Sequence, residues 1–118
     1  MIDKSNGETV SEPILKVIVA DDDVFINRLL CSTVEGMGYQ TAGATTGKET
    51  IELARANENS LILLDFQLSD YTAIQVVEQL AKNKIERPFI IITGKGNEQI
   101  AVEMMKMGAI DYLVKDQH

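Results

Sequence analysis

Leu15-Lys16-Val17-Ile18-Val19-Ala20-Asp21-Asp22-Asp23 (15–23) is a short apolar block, broken by a single lysine, that runs straight into three carboxylates. A brief, largely uninterrupted run rich in Val and Ile suits a strand covered on both faces, as in parallel sheets. The same kind of block returns at Gln40–Ala44, Leu61–Leu64, Phe89–Ile92 and Tyr112–Val114. Helical stripes lie between them. Asp23 is placed to cap a helix with Ile26, Leu30, Val34 and Met37 near one face, stopped by Gly36 and Gly38. Thr46-Gly47-Lys48-Glu49 reads as a capping box that opens a helix with Ile51, Leu53 and Ala54 inward. Ile74, Val77, Leu80 and Ala81 make a third stripe, ended before Pro88. Asn97 begins a fourth, with Ile100, Met104 and Met107 at helical spacing and Gly108 as its stop. The order β-α-β-α-β-α-β-α-β predicts an α/β fold, a doubly wound parallel sheet with helices on both faces.

With 118 residues there is room for one domain, and a chain of this length needs no disulfide or metal staple. Residues 1–13 carry turn-formers and charges without periodicity and are expected to be a flexible tail, leaving 14–118 as the domain. Eighteen acidic against eleven basic residues give a net charge of -7, which argues against binding nucleic acid or anionic membrane through this segment. No apolar run approaches a membrane span, and the N-terminus has no signal-peptide core. The single cysteine, Cys31, cannot form an internal disulfide and fits a reducing cytoplasm; it reads as a buried small hydrophobe. A fifth helix is expected after the last strand but is missing from the chain, so the domain is expected to be truncated or to continue into another module. Its absence would leave apolar surface on one side of the sheet, which favours dimer contacts or domain swapping.

In open α/β sheets ligands bind outside the carboxyl ends of the strands, at the switch in strand order. The first strand ends in Asp21-Asp22-Asp23, the third in Asp65, the fourth in Thr93-Gly94 and the fifth in Lys115. The second offers no charge, as befits an edge strand in the flavodoxin-like order 2-1-3-4-5. Carboxylates brought together repel and are stable only with a proton or a cation; hard oxygen ligands suit Mg²⁺, or Mn²⁺, better than Zn²⁺. Lys115 adds an ammonium and Thr93 a hydroxyl beside a glycine N–H. Such a set is a receptor for a phosphoryl group. Asp65 is the expected acceptor, its oxygen attacking phosphorus to give an acyl phosphate.

The strand ends fall within four motifs: Val-Ile-Val-Ala-Asp-Asp-Asp (17–23), Leu-Ile-Leu-Leu-Asp (61–65), Ile-Ile-Ile-Thr-Gly (90–94) and Gly-Ala-Ile-Asp-Tyr-Leu-Val-Lys (108–115). In this order and spacing, from Ile14 to Lys115, the chain resembles the receiver domain of two-component response regulators. The resemblance implies a cytoplasmic signalling switch that catalyses only its own phosphorylation and dephosphorylation. It implies that Asp65 takes a phosphoryl group from a phosphohistidine on a sensor histidine kinase or phosphotransfer protein. Asp22 and Asp65 would bind Mg²⁺ directly with the backbone carbonyl of Gln67, and Asp21 through a bound water. Thr93 and Lys115 would hold the phosphoryl oxygens, and Tyr112 would be the aromatic that reports them to the surface. The Thr-Gly-Lys-Gly stretch (93–96) looks like receivers fused to sensor kinases or signalling enzymes, so a fused output or kinase module is expected.

The chain departs from the family at three places. Leu68-Ser69 stand where the family has Met-Pro, which leaves the loop over the metal less rigid; Ala73 replaces a glycine and Asp116 a proline. Blander readings compete. Asp21-Asp22-Asp23 also reads as solvated acids capping a helix, Tyr112 as a half-buried strand residue, and the methionines 104, 105 and 107 as core and helix surface. Gly43-Ala-Thr-Thr-Gly47-Lys48-Glu49 mimics a phosphate-binding loop, but it is one residue short between the glycines and has Glu49 where Ser or Thr should stand. Two other functions remain open at this level. One is a receiver that docks without taking phosphate. The other is a haloacid-dehalogenase-type phosphohydrolase attacking through Asp21 of an Asp-x-Asp.

Overall fold

Apolar blocks become strands and stripes become helices: β1 (Lys16–Ala20), α1 (Val24–Gly36), β2 (Gln40–Ala44), α2 (Gly47–Ala56), β3 (Ser60–Asp65), α3 (Ala73–Lys82), β4 (Phe89–Gly94), α4 (Glu98–Lys106) and β5 (Asp111–Lys115). The computed structural model describes residues 16–115. The N-terminal tail, Leu15 at the head of the first block, Asp116 and His118 lie outside them. All strand pairs are parallel and the sheet order is β2-β1-β3-β4-β5, the expected flavodoxin-like arrangement. Among the described residues there are four helices, and none is long and apolar enough to cross a membrane.

Alternation along the strands sends side chains to two faces. On one face Ile18, Ala20, Ile62, Leu64 and Ile91 pack with Leu68, Val76 and Met104 and with apolar residues of α2, α3 and α4. On the other, Val17, Val19, Leu63 and Ile92 meet Leu30, Cys31 and Val34 of α1. Among the described residues only α1 covers this second face. Beyond it an open apolar groove of about 360 Å³ runs along Val17, Val34, Leu61, Leu63, Ile90 and Leu113.

This unequal cover explains where the sequence reading misses. The sequence reads β5 as one more covered strand, yet Leu113 and Val114 are exposed, because β5 is an edge strand, with Leu113 bordering the open groove. Cys31 is half-buried rather than buried, packed on the smaller cluster under α1. Met37, the C-cap just past the end of α1, is exposed although it borders the groove. In α3 the buried line is Ala73, Val76 and Leu80, and Ala81 faces solvent, one position off the stripe. The capping box is only half formed. Thr46 accepts from the Glu49 N–H at 3.0 Å, but the Glu49 carboxylate reaches one residue further, to the N–H and hydroxyl of Thr45 at 2.8 and 3.0 Å. The reciprocal box lies instead at Thr72 and Gln75, opening α3.

Candidate functional site

β1 and β3 run parallel with Ala20 opposite Leu64, so the residues that follow, Asp21 and Asp65, emerge side by side. Asp22 joins them: one carboxylate oxygen from each of Asp21, Asp22 and Asp65 lies within 4.8 Å of the others. Asp23 is not part of this group. Its carboxylate caps α1, accepting from the N–H groups of Phe25 and Ile26 at 3.0 and 3.2 Å, so the helix-capping reading holds for Asp23. Asp21 is fully buried and Asp65 is 6% exposed, whereas Asp22 faces solvent. From the far side Lys115, at the end of β5, reaches both buried acids. Its Nζ stands 3.0 Å from Asp21 Oδ2 and 3.3 Å from Asp65 Oδ2.

Burial pushes the Asp65 carboxyl up, and the Lys115 charge only partly offsets this. The charges of Asp21 and Asp22 push further upward, and the pKa stands at about 6. For Lys115 burial alone would lower the pKa, but its contacts with Asp21 and Asp65 outweigh it, and the net shift is upward. The ammonium therefore stays charged. Among the described residues two buried oxygens lack a hydrogen bond of good geometry, Asp21 Oδ2 and Thr93 Oγ1. The first has the Lys115 ammonium by distance alone. The second sits just past Ile92, the residue opposite Asp65 in the ladder. A buried hydroxyl without a partner is uncommon in folded proteins.

These residues fit a hard divalent cation. Three carboxylates supply oxygen ligands, one of them exposed to water, as Mg²⁺ or Mn²⁺ requires. Gln67 lies on the β3–α3 loop with an exposed side chain, bridged through its backbone to Thr72. Tyr112 sits on β5 opposite Ile91, 39% exposed, and three positions before Lys115, so alternation points the two to opposite faces.

Two polar residues that the sequence reading passed over shape this rim. Asn27 of α1 is buried, and its amide donates to the carbonyls of Val19, Asp21 and Ala44 at 3.1, 2.9 and 2.9 Å. It ties the ends of β1 and β2 together beneath the acids. Gly43 makes room for it, since a Cβ there would lie 2.6 Å from Asn27 Oδ1. Asp70, on the β3–α3 loop, accepts from the N–H groups of Gly47 and Lys48. A lone Asn in a helix or Asp in a turn carries no sequence signal that tells it from a solvated residue.

Residues 17–118 match the family described as the response regulator receiver domain. The chain belongs to that family. Among curated relatives, the transcriptional regulatory protein SrrA of Staphylococcus aureus is 38% identical over 100 residues, which cover 85% of this chain and 41% of that protein. The chain thus spans about two fifths of the length of this relative. Among solved structures, the Francisella response regulator 1452 receiver domain superposes with a TM-score of 0.77 at 33% identity, covering 86% of this chain and 84% of that one. The NtrX receiver domain of Brucella abortus gives 0.78 at 25% identity, covering 86% and 87%. With the receiver family shown, the dehalogenase alternative falls. Its nucleophile, Asp21, is also fully buried against Lys115 in this receiver.

Proposed function

We propose that this receiver is a phosphoacceptor switch in which Asp65 takes the phosphoryl group from a phosphohistidine of a sensor histidine kinase or phosphotransfer protein. The observation that carries the reading is the convergence of Asp21, Asp22, Asp65 and Lys115 from three strand ends on one rim. Asp65 is a better acceptor than Asp21. Asp21 is fully buried, with its Oδ1 occupied by the Asp23 N–H and its Oδ2 by Lys115, whereas Asp65 retains some exposure. At neutral pH most of Asp65 is ionised and able to attack. An oxygen of Asp65 forms a bond to phosphorus as the P–N bond to the histidine breaks, and the electron pair of that bond stays with the imidazole nitrogen.

Asp22 and Asp65, with the backbone carbonyl of Gln67 and with Asp21 through a water, would hold Mg²⁺, or Mn²⁺ in its place. The ion supplies charge neutralisation between carboxylate and phosphoryl oxygens. Lys115 then gains a phosphoryl partner, and the unpartnered Thr93 hydroxyl gains an acceptor. Capture of Thr93 would bias the β4–β5 side of the domain, where Tyr112, partly exposed, would change its exposure and alter partner binding. This is a binding switch, which turns over no substrate but its own acyl phosphate, and we place it in the cytoplasm. The longer relative suggests a fused output module.

The test is intact mass after incubation with acetyl phosphate and Mg²⁺. The native chain should gain one phosphoryl group, and Asp65→Asn and the metal-free native chain should gain none. No gain in the native chain while Mg²⁺ still binds would turn the reading to a docking receiver.

A further inference from the structure

The Gly47-Lys48-Glu49 stretch that mimics a phosphate-binding loop does bind an anion at the start of α2, but the anion belongs to the chain itself. The Asp70 carboxylate accepts from the Gly47 N–H at 2.6 Å through Oδ1 and from the Lys48 N–H at 3.0 Å through Oδ2. The first N–H groups of a helix lack intrahelical partners, and a carboxylate there is favoured by the helix dipole. Beside this contact Tyr71 packs against Gly47 so closely that a Cβ at position 47 would lie 2.6 Å from Tyr71 Cδ2 and 2.9 Å from its Cβ. The β3–α3 loop is therefore held on α2 by two adjacent residues, one through charge and one through shape. Tyr71 in turn accepts from the Leu68 N–H at 2.9 Å, and Ala73 N–H donates to the Phe66 carbonyl at 2.8 Å. The Leu68 N–H and the Gln67 carbonyl are the two ends of one planar peptide unit. Fixing the first fixes the direction of the second.

We propose that Asp70, with Gly47 and Tyr71, is a positioning clamp that sets the Gln67 carbonyl in the metal site. It does the work that a proline at position 69 would otherwise do for the loop. The inference rests on the phosphoacceptor reading, in which Gln67 offers its carbonyl to Mg²⁺. Asp70 touches neither metal nor phosphoryl group and acts only through Tyr71 and Leu68.

Amide hydrogen exchange and Mg²⁺ titration calorimetry, run on the native chain, Asp70→Ala, Asp70→Asn and Gly47→Ala, test it. In Asp70→Ala the Leu68 and Ala73 amides should exchange about tenfold faster, and Mg²⁺ should bind about fivefold more weakly. Asp70→Asn, which keeps an acceptor oxygen but not the charge, should fall between. Gly47→Ala changes no charge and places a better helix former at the head of α2. Its Cβ must displace Tyr71, so a purely structural role predicts a less stable protein that keeps native metal affinity. The clamp predicts weaker Mg²⁺ binding in Gly47→Ala as well, and the double variant should lose less than the sum. Native exchange rates in Asp70→Ala, or native Mg²⁺ affinity in Gly47→Ala, would overturn the clamp while leaving the switch intact. A native chain that neither binds Mg²⁺ nor takes phosphate overturns the phosphoacceptor reading, and the metal half of this inference goes with it.

Discussion

Asp65 in the metal-free chain holds a charge in a nearly closed place beside two others. Its folded pKa, about 6, stands above the ordinary value of 3.8. Between those two values the folded state binds more protons than the unfolded state, so stability falls as pH rises through that window and stays low above it. A neutral isostere removes the penalty. Asp65→Asn in EDTA should therefore melt roughly 4 °C above the native chain at pH 7.5 and show no advantage near pH 3.5, as thermal unfolding by circular dichroism would show. Added Mg²⁺ should stabilise the native chain more than the variant, because the proposed site would lose one of its three carboxylates. A native chain more stable than the variant at pH 7.5 in EDTA would mean that Lys115 more than compensates for the repulsion.

At the scale of elements, the junctions rather than the helices and strands carry the specificity. The acids stand at the ends of β1 and β3 because these strands share a register, and Asn27 fixes the end of β1 against β2 from within α1. Asn27→Ala leaves the buried carbonyls of Val19 and Asp21 without this donor. The expected loss is roughly 2–3 kcal/mol of folding free energy, read from urea unfolding. Because Asp21 shares that anchor, Mg²⁺ affinity should fall in the same variant. A loss within about 0.5 kcal/mol, as for an ordinary surface substitution, would show that water replaces the amide. The β3–α3 loop follows the same logic: its order comes from α2, an element that ends before the loop begins.

For the whole molecule, cover is uneven. β1 and β3 are flanked by strands on both sides, while β5 is an edge whose outer residues meet solvent and the open groove beyond α1. Amide exchange should accordingly be slowest at Ile62, Leu63 and Leu64 and fastest, among the strands, at residues 111–115. Equal protection in β5 and β3 would show that another surface covers the groove in solution. Lys115 thus stands at the tip of the least protected strand while bonding the most buried acids. An ion-paired lysine so placed couples the state of Asp65 to the position of β5.

The periodicities of the chain determined the order of elements, the sheet class and the acids and lysine at its rim. These are local facts, written in spacings of two and about 3.6 residues. Tertiary structure decided which local features act together. Lys115 meets Asp65 across 50 residues, and Asp70 meets Gly47 across 23. No periodicity records such pairings, because they depend on strand register and on how far one loop leans onto one helix. The same limit explains the misses. Thr46 and Glu49 have the spacing of a capping box, but the turn before α2 gave Glu49 a nearer donor in Thr45. A residue's pattern states its preference, and only the packed chain states its partner.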